Sequence, residues 1–241
     1  MSNVRFSEGL LWAILWAAMA ATACAQDQPS PASATELRLR IDLPLARRAH
    51  AVPAVIWLDP LPGTASLPFV AQEHYTLLQK NRMFTPHLQV VPVGSIVQFP
   101  NADPFFHNVF SLFDGKRFDL GLYEAGSSKS VTFSREGVSY IFCNIHPEMS
   151  AVIVTLSTPL YAIADGTESF DLRNVPPGNY TLHIWMEGVP QPILNSLDRR
   201  LHLAARVEDL GEIKAPIAGI RSRARTNEFG QAYPPQTQST Y

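Results

Sequence analysis

The sequence predicts an all-β protein made of two β units. Short runs in which apolar and polar residues alternate recur along most of the chain, and clusters of Pro, Gly, Asn and Asp separate them. Patterns with a helical period are few, and 20 of the 241 residues are Pro, which disfavours long helices. The formal net charge of −2 places the chain outside the strongly basic class that binds nucleic acids.

The first predicted strands lie before residue 60. Residues 37–41 alternate between apolar and charged side chains, which indicates a half-buried strand. A continuous apolar run at 54–58 predicts a buried strand, and a turn rich in Pro and Gly at 59–63 ends it. Residues 75–83 are compatible with either an extended chain or a short helix.

The middle of the chain has the pattern of strands throughout. Residues 100–104 form a Pro-bounded turn that leads to His107 at the start of a strand. We expect a hairpin between the strands at 131–133 and 139–142, around a turn at 135–137. Further strands are predicted at 88–91, 96–99 and 152–156, and the last of these closes the unit.

Residues 158–215 predict a second, smaller β unit. A strong turn at 175–179 precedes an alternating strand at 180–186. His183 belongs to this alternating pattern, so we expect it on a strand face and not in a ligand set. A last strand is predicted within residues 201–207.

Residues 1–25 have the organisation of an export signal. Arg5 precedes an apolar stretch at 10–21, and the small residues of Ala23-Cys24-Ala25 fit a cleavage site. The apolar stretch is too short for a comfortable membrane span. We therefore expect a periplasmic protein, cleaved near Ala25 and without stable membrane insertion, that begins with a flexible leader at 26–36.

The number of cysteines limits the kinds of site that the chain can form. The chain has two Cys residues, and cleavage near Ala25 removes Cys24. Cys143 then has no disulfide partner, and an unpaired thiol in an oxidising compartment is a liability unless its sulfur is occupied, for example by a metal. The same count excludes a redox Cys-x-x-Cys pair, a c-type haem attachment and a Cys-based zinc knuckle.

A dense set of metal donors follows the predicted strand at 139–142. Cys143, His146 and Met149 provide a thiol, an imidazole and a thioether within seven residues, and His107 is the best candidate for a second imidazole. Two imidazoles and a thiolate with a weak axial thioether are the donors of a blue-copper site. Each residue alone is more often structural, since Cys and Met commonly fill cores. Their combination favours copper.

Another imidazole could compete with these donors. His87 lies on a predicted strand some twenty residues before His107 and is the chief rival ligand. His50, His74 and His202 have no ligand-like context and are interpreted as surface residues. Glu148 lies within the donor loop, where we expect it to face solvent.

Two sequence blocks resemble the cupredoxins, the plastocyanin and amicyanin family of blue-copper proteins. They are FPNADPFFHNVFS, which contains His107, and GVSYIFCNIHPEM, whose Cys-x2-His-x2-Met spacing is closer to amicyanin. The resemblance implies a Greek-key β-sandwich over residues 37–157, although the strands at 37–60 could belong to the second unit. It also implies one type 1 copper ion, with His107, Cys143 and His146 as equatorial ligands, Met149 as the axial ligand, and the Asn108 N–H directed at the thiolate.

The second unit resembles transthyretin-like or carboxypeptidase-regulatory-like modules through DGTESFDLRNVPPGNYTLHIW. A cupredoxin joined to such a unit is similar to the bacterial family labelled methylamine-utilisation proteins. Two organisations stay open: tandem domains, or a transthyretin-like sandwich with the cupredoxin inserted. Residues 216–241 contain RSRAR and predict a flexible basic tail that binds neither nucleic acid nor lipid.

We therefore hypothesise that the protein is a periplasmic one-electron carrier and not an enzyme. Phe105, Phe106 and Pro147 are expected to form a dry shell that exposes the edge of His146, where a redox protein partner would dock. The alternatives are a copper-binding or delivery module without a redox role, and a structural cupredoxin-fold interaction protein. A hydrolase is disfavoured because the sequence shows no acid that could orient His146 beside Cys143.

Overall fold

A computed structural model describes residues 35–42, 52–112, 115–164, 169–204, 207–214 and 231, and within these ranges the chain is almost entirely β. The predicted export signal, most of the leader, His50 and most of the basic tail lie outside the described residues. The strands are β1 Thr35–Asp42, β2 Ala54–Pro60, β3 Tyr75–Thr76, β4 Leu78–Lys80, β5 Met83–Thr85, β6 Leu88–Pro92, β7 Ser95–Pro100, β8 His107–Ser111, β9 Phe118–Tyr123, β10 Ser128–Phe133, β11 Gly137–Phe142, β12 Ser150–Leu156, β13 Tyr161–Ile163, β14 Ser169–Val175, β15 Gly178–Met186, β16 Arg199–Leu203 and β17 Val207–Lys214.

The first sandwich packs two sheets around an aromatic-rich core. One sheet has the order β10-β7-β3 and the other the order β6-β12-β11-β8-β9. Their facing side chains form one apolar cluster that includes Phe99, Phe133, Ile141, Cys143 and Met149. The prospective ligands Cys143 and Met149 are therefore part of the core of the sandwich.

The second sandwich combines strands from both ends of the described chain. One sheet has the order β14-β1-β17 and the other the order β13-β2-β15-β16. Leu37 from β1, Leu58 from β2 and Tyr180 from β15 meet in its core. The strands at 35–60 thus pair with strands that follow residue 160, and the chain between them forms the first sandwich. β1 begins at Thr35, two residues inside the predicted leader.

The expected hairpin between β10 and β11 is wrong. β10 pairs with β7, with Val131 opposite Val97, whereas β11 pairs with β12, with Ile141 opposite Ala151. The two strands therefore lie in different sheets. The sequence could not show this, because an alternating pattern indicates which face of a strand is buried and not which strand pairs with it. The ambiguous segment at 75–83 is extended, and it forms β3, β4 and the start of β5.

The sheet containing β6 and β12 forms a wall between the two cores. Val91 and Ile153 point into the core of the first sandwich. Their neighbours Val90 and Val154 point into the core of the second. Because successive side chains of a strand point to opposite faces, strands buried on both sides are mostly apolar, as β12 is with only Ser150 and Thr155 polar.

The single helix of the described residues is short. It runs from Gln191 to Ser196 and buries Leu194 against the second sandwich. Pro192 lies in its first turn, where a missing backbone N–H costs no hydrogen bond. Among the described residues no helix is long and apolar enough to cross a membrane.

An ion-paired histidine in the second sandwich gives the fold a predicted pH dependence. His183 Nε2 lies 3.2 Å from Asp59 Oδ2, and its Nδ1 lies 3.1 Å from Asp198 Oδ1. The hydrogen bond that the His183 ring donates to the Asp59 carboxylate is the main cause that raises the pKa of His183. A raised histidine pKa adds stability that is complete below the unfolded-state pKa of about 6.5 and is lost as pH rises through the folded-state value.

We expect His183→Gln to flatten the decline in the free energy of unfolding above about pH 6.5. Urea denaturation of both proteins across pH 5–9 would measure it. His202→Gln is the control, because the exposed ring of His202 contacts the Asn179 amide oxygen and no carboxylate in the described hydrogen bonds. Parallel pH profiles for wild type and His183→Gln would contradict the assignment.

Candidate metal centre

His107 is the first residue of β8 and is fully buried. Its Nε2 lies 2.9 Å from Asp103 Oδ2, which is also buried. An ionised carboxylate can only accept hydrogen bonds, so Nε2 carries the proton and donates it to Asp103. The Nδ1 atom of a neutral ring then has a free lone pair, which is the form that binds a metal.

The other donors lie on the loop between β11 and β12. Two backbone hydrogen bonds make the loop compact: Met149 N–H donates to the His146 carbonyl at 2.9 Å, and Cys143 N–H donates to the Met149 carbonyl at 3.4 Å. The second bond joins the two ends of the loop. Cys143 and Met149 are consequently held side by side, and each is only 1% exposed.

Three of the four predicted ligand residues converge on one point. His107 Nδ1 lies 3.1 Å from His146 Nδ1, and Cys143 Sγ lies 3.7 Å and 3.6 Å from these two nitrogens. For zinc, an ion similar in size to copper, metal bonds in proteins measure about 2.0 Å to nitrogen and about 2.3 Å to sulfur. Each separation is shorter than the sum of two such bonds, so one ion can bind all three atoms at once.

The predicted axial position of Met149 is a separate question. The residue follows His146 by three positions and shares its core cluster with Cys143. Its burial removes competition from water, which suits a weak thioether donor. Ligation by Met149 stays a prediction.

The protonation of the donors suits a soft divalent or monovalent ion. Burial raises the pKa of the Cys143 thiol, and the N–H groups of Asn108, Ile145 and His146 directed at the sulfur partly offset this. Burial also lowers the pKa of His146, as does the neighbouring His107. His146 therefore stays neutral near pH 7, and binding of an ion would release the proton of Cys143.

Asp103 is a site residue that the sequence reasoning missed. Besides His107, it accepts hydrogen bonds from the backbone N–H groups of Asn81 at 2.6 Å and Arg82 at 2.9 Å. Burial alone would raise the pKa of this carboxyl, but the bonds from Arg82, His107 and Asn81 outweigh it and lower the pKa. Asp103 therefore remains ionised and ties His107 to the turn between β4 and β5. The available signal was an acid four residues before a candidate ligand, inside a Pro-bounded turn.

The rim of the site differs from the expected dry shell at one position. The Phe105 ring contacts the rings of both His107 and His146, with centroids 5.3 Å and 5.5 Å away. Phe106 is instead 56% exposed, whereas a dry shell requires buried side chains.

The rival ligand His87 lies outside the cluster. Its Nδ1 contacts the Ser150 carbonyl at 3.0 Å, and its Nε2 contacts the Glu187 carboxylate at 3.0 Å. His74 and His202 are exposed and His183 is paired with carboxylates, as their sequence contexts suggested. Glu148 is exposed within the loop.

The solved structures that are similar to part of this chain include a copper-containing enzyme and cupredoxins. A Cu-containing nitrite reductase (NirK) from Thermus scotoductus SA-01 matches 41% of this chain at 24% identity and a TM-score of 0.33. A purple cupredoxin from Nitrosopumilus maritimus matches 34% of this chain over its own full length, at 22% identity and a TM-score of 0.32. A reduced variant of amicyanin matches 42% of this chain and 98% of its own, at 19% identity and a TM-score of 0.33.

Each similarity is confined to less than half of the chain. The matched region spans about a quarter of the nitrite reductase (25% of its length). No protein-family model matches the sequence, and the search of curated proteins finds no significant match. The convergence of His107, Cys143 and His146 is independent of these similarities.

Proposed function

We propose that this protein is an exported, periplasmic carrier of single electrons with one type 1 copper ion. His107, Cys143 and His146 would bind the ion in its equatorial plane, and Met149 would be the weak axial donor. The observation that carries the proposal is the mutual approach of two Nδ1 atoms and one Sγ atom to 3.1–3.7 Å. Two imidazoles and one thiolate form the equatorial set that favours copper in this geometry.

The chain around the donors supports a redox role. When bound, copper would supply one-electron chemistry between Cu(II) and Cu(I). The residues would hold one geometry for both states: Asp103 orients His107, and the loop hydrogen bonds hold Cys143 against Met149. The N–H groups that point at Cys143 would stabilise its thiolate and tune the reduction potential.

The surface beside His146 suits transient docking. His146 is partly exposed, whereas His107 and Cys143 are buried. Two large apolar residues adjoin the chain positions that form this surface: Ile145, 45% exposed, precedes His146, and Phe106, 56% exposed, follows Phe105, whose ring contacts His146. We propose that a redox protein partner contacts this apolar surface and exchanges electrons through the His146 ring, across a small interface.

Spectroscopy of the protein purified from the periplasm tests the proposal. The copper-loaded protein should contain one copper per chain and absorb strongly at about 600 nm, as expected for a Cu(II)–thiolate bond. Its EPR spectrum should show the narrow copper splitting of such a site. A colourless Cu(II) form, or rapid loss of copper to a chelator together with sluggish redox, would contradict an electron carrier.

We expect Met149→Leu to retain copper and to raise the reduction potential. The equatorial donors remain, while loss of the thioether removes a donor that favours Cu(II). Cyclic voltammetry of both proteins would measure the shift. Met83→Leu is the matched control, because Met83 is 57% exposed on β5 and should leave the potential unchanged. Loss of copper from Met149→Leu would contradict a weak axial role.

A further inference from the structure

The second sandwich contacts the strand before the ligand loop directly, and it is linked through His87 to the first residue of the strand after the loop. The strand before the loop, β11, carries Tyr140, whose hydroxyl accepts a hydrogen bond from Trp185 Nε1 at 3.2 Å. Trp185 belongs to β15 of the second sandwich and is 1% exposed. Tyr140 lies three residues before Cys143, so this contact is close in the chain to the thiolate ligand.

His87 makes the corresponding contact after the loop. Its Nδ1 lies 3.0 Å from the carbonyl of Ser150, the residue that follows Met149, and its Nε2 lies 3.0 Å from both carboxylate oxygens of Glu187. A carbonyl and a carboxylate only accept hydrogen bonds. Both ring nitrogens must then donate, so the imidazolium form of His87 satisfies the two contacts together.

Glu187 is anchored in the second sandwich. It directly follows β15, and its backbone N–H donates to the Pro53 carbonyl at 2.9 Å, next to β2. On the other side, the His87 carbonyl accepts a hydrogen bond from Val152 N–H at 2.8 Å. A chain of polar contacts therefore runs from β2 and β15 through Glu187 and His87 to the first residues of β12.

We propose that the second sandwich sets the electron-transfer properties of the copper centre by holding the ligand loop at both ends. His87 and Glu187 are the positioning residues for the Met149 end. This inference rests on the proposed function and extends it to a region without metal donors. Ligand positions matter at about 0.5 Å in such sites, so a tether one residue from Met149 is close enough to act.

The solvent exposure of the His87–Glu187 ion pair distinguishes a positioning role from a purely stabilising one. The side chains of His87 and Glu187 are 40% and 36% exposed. Ion pairs this accessible contribute little to the free energy of folding. Removal of Glu187 should consequently change the metal centre more than it changes the stability of the protein.

The test uses the copper-loaded, full-length protein with Glu187→Ala and Glu187→Gln. We expect Glu187→Ala to raise the reduction potential, as Met149→Leu does, and to slow electron self-exchange on the order of tenfold, because the loop gains freedom. Glu187→Gln keeps one acceptor for His87, and its shift should have the same sign but be smaller. If Glu187→Ala folds poorly, the shift in reduction potential of Glu187→Gln tests the positioning role by itself.

Asp59→Asn is the matched control, since Asp59 also pairs with a histidine in the second sandwich but lies at the opposite end of the pairing between β2 and β15. It should leave the potential and self-exchange unchanged. In a Met149→Leu background, Glu187→Ala should shift the potential by less than it does in wild type, because both changes act through one ligand.

Three outcomes would overturn the inference. A blue wild-type protein whose Glu187 variants keep its potential, EPR spectrum and self-exchange rate would refute the positioning role alone. Equal shifts from Asp59→Asn would refute it as well, since the effect would then be unspecific. A wild type without the blue spectrum would instead refute the proposed function and, with it, this inference.

Discussion

Replacing Cys143 with serine should abolish the coloured copper site. A serine hydroxyl at this buried position is a hard, weakly acidic donor, so it would neither form the Cu(II)–thiolate bond nor retain Cu(I) well. We expect the absorption at about 600 nm to disappear and the affinity for copper to fall by at least about 100-fold, by the loss of an equatorial ligand. Optical titration with Cu(II) and competition with a Cu(I) chelator would measure both effects.

A buried hydroxyl elsewhere in the same sheet provides the control. Ser111 ends β8, the strand that His107 begins, and its oxygen has no hydrogen-bond partner among the described residues. Ser111→Ala should leave the spectrum and the affinity unchanged. An unaltered spectrum in Cys143→Ser would refute the assignment of the sulfur as a ligand and, with it, the blue-copper proposal.

Replacing Asp103 with asparagine should weaken copper binding by about 10- to 100-fold, the usual effect of removing a group that orients a ligand histidine. The amide would turn its NH2 group toward at least one of the three donors that Asp103 now accepts from, namely Asn81, Arg82 and His107. A buried donor without an acceptor costs about 1–3 kcal/mol, so the free energy of unfolding should fall by that amount. Copper titration and urea denaturation measure the two effects.

The variant should also lose part of its acid sensitivity. Since folding lowers the pKa of Asp103, its contribution to stability is present above the unfolded-state pKa of about 3.9 and is lost as pH falls through the folded-state value. Glu73→Gln, an exposed carboxylate outside the ligand loop, is the control and should change neither affinity nor acid sensitivity. Wild-type affinity in Asp103→Asn would show that His107 needs no carboxylate partner.

Much of the candidate metal centre could be predicted because its possible donors are close in the sequence. Cys143, His146 and Met149 occupy seven residues, so a tight loop alone brings them near one another. His107 was predicted from its strand context, and the structure places its Nδ1 beside the other donors. Phe106 was expected to be part of a dry shell, but it is exposed, because no alternating pattern fixes the side-chain directions in the short segment between the Pro104 turn and β8.

The partners of each strand could not be predicted in the same way. The alternation in β10 and β11 reports one buried face for each strand, and it is equally compatible with a hairpin or with two sheets. The structure pairs them with β7 and β12. Likewise, β1 pairs with β14 and β2 pairs with β15, and in both cases the partners are more than a hundred residues apart in the sequence. Local patterns carry no information about such distant pairing.

The sequence by itself therefore determined the all-β class, the chemical nature of the donors and the loop that carries three of them. These features depend on local periodicity and on side-chain chemistry, both of which are readable within a few residues. The tertiary structure alone decided that Asp103 orients His107 and that Glu187 reaches the loop through His87. Such contacts depend on which sheets face each other, and that choice is made by the packing of the whole core.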